Sequence, residues 1–210
     1  MRGFNIFRNG AVILVLLGLI FSLTADKAQF LLWLAKHRDT FADYYFYYVT
    51  KLGEFPGFVI CGLLLWISSW KKMLTVPALG ALVLGTSFTL KEFFQHERPS
   101  IYLSRIGYQG PLAVLGYPML SGHHSFPSGH TMGAWALFTL VAALSKNSWV
   151  SVVCLFLAFS VSISRIYLLA HFLEDVVSGA MVGIALGYGV YFAYVRWIKS
   201  KYVTKPDNSA

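Results

Sequence analysis

The chain has 210 residues, 57% of them hydrophobic and only 12% charged, about half the roughly 25% charged share of soluble domains. With a mean hydropathy of +0.61, this balance excludes an ordinary soluble domain and points to an all-α integral membrane protein, because lipid offers unpaired backbone groups no partner. The formal charge of +8 is dispersed beside apolar runs with no reader motif, so nucleic acid is not expected as a partner.

Arg2 and Arg8 precede an uncharged run from Asn9 to Ala25. It is read as the first transmembrane helix, a retained anchor rather than a removed signal, since the cleavage site is poor and more apolar spans follow. From Asp26 to Glu54, charges alternate with aromatic residues, including Trp33 and the run Tyr44 to Tyr48. That pattern predicts an amphipathic interfacial segment, serving as an aromatic anchor or a surface for lipid access. The second span runs from Phe55 to about Ile67 and ends at Trp70-Lys71-Lys72. A short connection through Pro77 leads to the third, within Met73 to Leu90. Residues 92–129 form the longest non-spanning region, rich in charge, proline and glycine, and read as a functional periplasmic loop.

The fourth span follows His130 and covers Thr131 to Ser145; the fifth runs from Ser148 to Ile163 and the sixth from Val176 to Val195. Gly179, Gly183 and Gly187 recur every fourth residue in the sixth, the spacing of close helix packing. Cys61 and Cys154 lie inside apolar stretches and are read as free packing thiols. Six spans place both termini on one side with Arg2, Arg8, Lys71, Lys72, Lys146, Arg196, Lys199, Lys201 and Lys205. That side is the cytoplasmic one by the positive-inside rule. Lys91, Arg98, His130, Arg165 and His171 then gather at the opposite, periplasmic or outer face.

The chain centres on Ser121 to Met132, SGHHSFPSGHTM, where an apolar helix begins behind Ser128-Gly129-His130. A helix N-terminus beside a small residue admits an anion, or it is simply a capped membrane loop. Singly, Lys91 reads as a snorkelling lysine and Arg165 as a partner of Glu174 or Asp175. Their convergence at one membrane boundary is what marks a site. His171 and Asp175 are spaced i,i+4, so on a helix they share a face, with the carboxylate orienting the imidazole. His130 is suited to proton transfer. Lys91, Arg98 and Arg165 supply fixed positive charge, with Ser128 and Gly129 as further donors. A zinc set of His130, His171 and Asp175 is disfavoured by three neighbouring cations, and Ser128 lacks the G-x-S-x-G setting of serine hydrolases.

Three blocks, Lys91-EFFQHE-Arg98-Pro99, Pro127-Ser128-Gly129-His130 and Ser164-Arg165-IYLLA-His171-FLE-Asp175, resemble the signature of the type 2 phosphatidic acid phosphatase superfamily. That family includes bacterial membrane phosphatases of phosphatidylglycerol phosphate and polyprenyl pyrophosphates, lipid A phosphatases and vanadium haloperoxidases. The blocks span residues 91–175 within one membrane-integral domain, 1–210. The resemblance implies a metal-independent enzyme without cofactor. In it Lys91, Arg98, Ser128, Gly129 and Arg165 bind phosphate, His171 forms a phosphohistidine held by Asp175, and His130 serves as acid and then base. The expected partners are the bilayer and a lipid phosphate, in a bacterial inner membrane. Undecaprenyl pyrophosphate leads as substrate, followed by phosphatidylglycerol phosphate and lipid A 1-phosphate. A noncatalytic lipid transporter or lipid-binding protein is the alternative of another class.

Overall fold

Helix α8, Gly129–Leu144, is the axis of the fold in the computed structural model. Every residue from Thr131 to Leu140 is buried, so this helix faces protein on all sides. The structure describes all residues except Met1, Ala28, 111–113, Gly116, Pro118, Lys146 and 204–210. Among the described residues the regular elements are helical. They are α1 (Arg2–Thr24), α2 (Gln29–Lys36), α3 (Thr40–Val49), a 3-10 turn (Thr50–Gly53), α4 (Phe55–Ser68), α5 (Trp70–Met73), α6 (Thr75–Phe94), α7 (Pro99–Arg105), α8, α9 (Ser148–Tyr167) and α10 (Leu173–Val203).

Four stretches are long and apolar enough to cross a membrane: Gly3–Thr24, Trp70–Arg105, Ser148–Tyr167 and Leu173–Ser200. Thr40–Gly53 and Phe55–Ser68, bent by 64°, make a fifth if taken as one broken span. Six is not reached by this measure, because α8 has 16 residues and α4 has 14. A 16-residue helix is about 24 Å long, short of a roughly 30 Å hydrocarbon core.

Several boundaries differ from the sequence expectation. Pro77 lies in the first turn of α6, where a missing N–H costs nothing, rather than in a connection. Helix α9 continues to Tyr167 and carries Arg165 in its last turn, a favourable end for a cation. Helix α10 begins at Leu173, so Glu174 and Asp175 occupy its first turn instead of preceding it. The segment after α1 is two helices packed on protein as well as facing outward. Leu31 is 1% exposed among Leu103, Ile166 and Phe172, and Tyr45 donates to Ser160 Oγ at 2.9 Å. Tyr44 and Tyr48 remain exposed. Cys61 and Cys154 are free and buried.

The glycine stripe of α10 lies against the backbone of α8. A Cβ on Gly179 would sit 2.6 Å from the Ser128 carbonyl oxygen, and one on Gly187 would sit 2.5 Å from that of Ala136. Gly183 makes the same approach to the Met132 carbonyl. No side chain fits these contacts, so the stripe sets the depth at which the Ser128–Gly129 mouth of α8 is held. Gly179→Ala is therefore expected to cost about 1–3 kcal/mol by overpacking, read as a lower melting temperature in detergent.

Candidate active site

Helix α8 starts where sequence places it, with Ser128 as N-cap. The Ser128 N–H donates to the Asp175 carbonyl at 2.9 Å, which ties the mouth of α8 to the first turn of α10. Its Oγ accepts from Thr131 N at 3.4 Å and from Thr131 Oγ1 at 3.0 Å. The Ser128 backbone is thus committed to the scaffold, and its hydroxyl proton remains as the donor. Gly129 leaves open the space beside α6: a Cβ there would lie 3.0 Å from Ser87 Oγ and 3.7 Å from Lys91 Nζ. Lys91 occupies the last turn of α6, where the helix dipole favours a cation.

His171 is not on a helix. The chain leaves α9, turns through Leu169 in a left-handed conformation (φ 53°), and returns so that His171 N–H donates to the Arg165 carbonyl at 3.2 Å. The His171–Asp175 contact, Nδ1 to Oδ2 at 3.3 Å, is therefore made across a helix entrance rather than along one face. Asp175 Oδ2 also accepts from Phe172 N at 3.0 Å, so the carboxylate caps α10 while steering the ring. Ser125 completes the arrangement, donating to Asp175 Oδ2 at 2.6 Å with its Oγ 3.3 Å from His171 Nδ1. Nδ1 faces these groups, which leaves Nε2 as the lone-pair nitrogen.

Arg98 donates to the Ala170 carbonyl at 3.0 Å and the His124 carbonyl at 3.2 Å. It joins the long loop to the turn that carries His171. Arg165 is fully buried. It pairs with neither Glu174, which meets Lys27 at 2.7 Å, nor Asp175. Its Nη1 donates to Thr50 Oγ1 at 2.8 Å and Tyr117 OH at 3.0 Å. Its Nε and Nη2, one edge of the guanidinium, have no hydrogen-bond partner among the described residues. A buried cation with a vacant two-pronged edge is costly unless an oxyanion fills it.

His171 lies in the turn between the spans of α9 and α10. Burial first, then the charges of Arg165, Arg98 and Lys91 and the ring of His130, hold its pKa well below the ordinary histidine value. All four groups thus bear on the same imidazole. The depressed pKa keeps the ring neutral as pH is lowered through 6.5. The linkage has a definite sign: the unfolded histidine takes up a proton that the folded one refuses, so stability present above about pH 6.5 is lost on acidification. Melting curves across pH 5 to 8 check this.

His130, in the first turn of α8, contacts Glu54 through Nε2. Glu54, Ser125, Thr50 and Tyr117 were not singled out from sequence. Only Ser125 lies in a signature block's neighbourhood; the others come from segments whose nearness to the site is purely tertiary. His96, Glu174 and Asp175 offer ligand atoms within 4.8 Å of one another, but Lys27 already neutralises Glu174. From the polar end an open groove of about 860 Å³ runs between α4 and α6. Lys91, Gly129, His130 and Glu54 lie at one end, and Phe58, Val59, Leu63, Val76, Gly80 and Leu84 line the rest.

These features define a class: a multi-pass helical membrane protein in which three cations and two histidines lie near one another, with Lys91 and His130 at one end of an apolar groove. A sequence profile described as PAP2 superfamily matches residues 70–199, and the chain belongs to that superfamily. It is 32% identical over 128 residues to Lipid A 4'-phosphatase of Porphyromonas gingivalis, covering 59% of this chain and 52% of that one. It is 30% identical over 157 residues to Phosphatidylglycerophosphatase B of Bacillus subtilis, covering 66% and 68%. The crystal structure of Aquifex aeolicus LpxE superposes with a TM-score of 0.67 at 25% identity, over 79% of this chain and 94% of that one. The chain thus spans about half the length of the Porphyromonas relative.

Proposed function

We propose that this protein is a membrane lipid phosphatase working through a phosphohistidine on His171. The vacant Nε–Nη2 edge of buried Arg165 carries the reading, because it matches two oxygens of a phosphoryl group. Lys91, Arg98 and Arg165, with donors from Ser128 and Gly129, hold the equatorial oxygens and offset the charge that develops there. His171 Nε2 attacks phosphorus, and the bond to the lipid oxygen breaks as His130 delivers a proton to it. Water, deprotonated by His130, then attacks the phosphohistidine and releases inorganic phosphate. Asp175 and Ser125 hold the His171 ring through both steps. The fixed cations take the charge-neutralising role that metals have in other phosphatases.

The apolar groove supports a lipid substrate: each tail CH₂ buried there is worth about 0.8 kcal/mol. The names of the Porphyromonas and Bacillus relatives favour lipid phosphomonoesters, with phosphatidylglycerol phosphate and lipid A phosphate placed ahead of undecaprenyl pyrophosphate, the substrate expected first from sequence. In this reading α4 and α8 complete six crossings, short because the pocket recesses their outer ends. The termini are cytoplasmic, and the site faces the periplasm of a bacterial inner membrane. Phosphate release by the purified protein from those three lipids and phosphatidic acid is the test. Turnover of at least one supports the enzyme, and translocation without release points to a transporter.

A further inference from the structure

We infer that Glu54 selects the leaving group, favouring phosphomonoesters that release an uncharged alcohol over diphosphates that release a phosphate anion. The inference rests on the phosphatase reading and deepens it. Glu54 is the only carboxylate lining the polar end of the groove among the described residues, and its Oε1 contacts His130 Nε2. His130 is the residue that hands a proton to the departing oxygen, so that oxygen must arrive beside Glu54.

The placement is built in. The 3-10 turn just before Glu54 lies directly on the first turns of α8: a Cβ on Gly53 would collide with the His130 carbonyl, and one on Gly133 would come within 2.5 Å of the Gly53 carbonyl. Backbone contact on both sides leaves Glu54 little freedom to leave His130. Its side chain is 33% exposed and that of His130 is 23% exposed, so both reach the cavity.

Two effects act in the same direction. A carboxylate repels a departing phosphate but accepts a hydrogen bond from a hydroxylated alcohol such as glycerol or a sugar. Lys51, 3.4 Å from Glu54 Oε2 and on the outer side, weakens that repulsion without reaching the groove lining. Secondly, the Glu54 contact fixes the His130 ring as the proton donor to the departing oxygen. An alkoxide is a poor leaving group and needs that proton, whereas a phosphate leaves without it. Losing Glu54 therefore penalises monoesters and relieves diphosphates.

Phosphatidic acid and diacylglycerol pyrophosphate carry the same tails and differ in this one respect. The full-length protein in nanodiscs should prefer phosphatidic acid by about tenfold or more in kcat/KM. Glu54→Gln should lower that ratio about tenfold, while phosphate labelling of His171 persists. A misfolded variant would lose both activities alike and leave the ratio unchanged. An unchanged ratio in a Glu54→Gln variant that still turns over both lipids, or a wild-type preference for the diphosphate, overturns the selection by Glu54 and leaves the phosphatase standing. Absence of phosphate release and of His171 labelling in the wild type removes the phosphatase reading, and this inference with it.

Discussion

Replacing His171 by alanine is expected to abolish phosphate release, by at least about 10⁴-fold, and to remove the acid-labile phosphoenzyme altogether. The expectation follows from geometry. Nδ1 is directed at Asp175 Oδ2 and Ser125 Oγ, each at 3.3 Å, so only Nε2 can meet phosphorus. Of the other imidazoles, His130 has its Nε2 held by Glu54 and His124 lies on the outer loop, 3.8 Å from Glu92. Rapid-quench labelling with a radioactive lipid phosphate, followed by peptide mapping, reads the result. The same label recovered from His171→Ala would mean that another residue attacks. Lipid translocation that persists in this variant, with no phosphate released by the wild type, would put the chain in the transporter class.

Arg165→Met should separate stability from activity. The arginine is fully buried, with Nε and Nη2 unpaired among the described residues. Removing an uncompensated buried charge in favour of a side chain of similar length is often neutral or stabilising, by about 1–4 kcal/mol. Against this stands the loss of two hydrogen bonds, to Thr50 and Tyr117, about 1 kcal/mol each. The net expectation is a ligand-free melting temperature that does not fall. Activity should drop by about 10³-fold, since the missing fork faces the oxygens where charge develops. Orthovanadate or inorganic phosphate should raise the melting temperature of the wild type, by mass action on the folded form, and leave that of Arg165→Met unmoved. A variant melting well below the wild type would show that Arg165 is a structural strut whose open edge is incidental.

Much of this was legible before any coordinates. The α8 N-terminus at Ser128-Gly129 was visible because a hydroxyl, a small residue and an apolar run announce a helix entrance. The glycines of α10 were visible as a four-residue period, and the structure shows that their partner is the α8 backbone itself. Helix ends were less legible. Hydropathy stops α9 before Arg165 and delays α10 beyond Asp175, yet both charges lie within the helices. Burial against protein stands in for the apolar side chains that lipid would demand. The span count is less legible for a related reason: α8 is enclosed by protein and has only 16 residues.

The i,i+4 spacing of His171 and Asp175 led to the right contact by a different route. The pair meets across the entrance to α10, and Leu169 in a left-handed conformation turns the chain back to allow it. Glu54, Thr50 and Tyr117 carry no local signal. They reach His130 and Arg165 through the 3-10 turn and the outer loop, contacts between positions 48 to 115 residues apart.

Composition and motifs alone carry the class: an apolar helical chain with three charge-bearing signature blocks at one membrane boundary, where charge is too costly to be placed idly. The folded packing sets the state of those groups. It left one edge of Arg165 open, gave His171 a serine as well as an aspartate, and put a carboxylate on His130. These depend on which backbones approach closely enough to touch, and that is settled by packing between helices far apart in the chain.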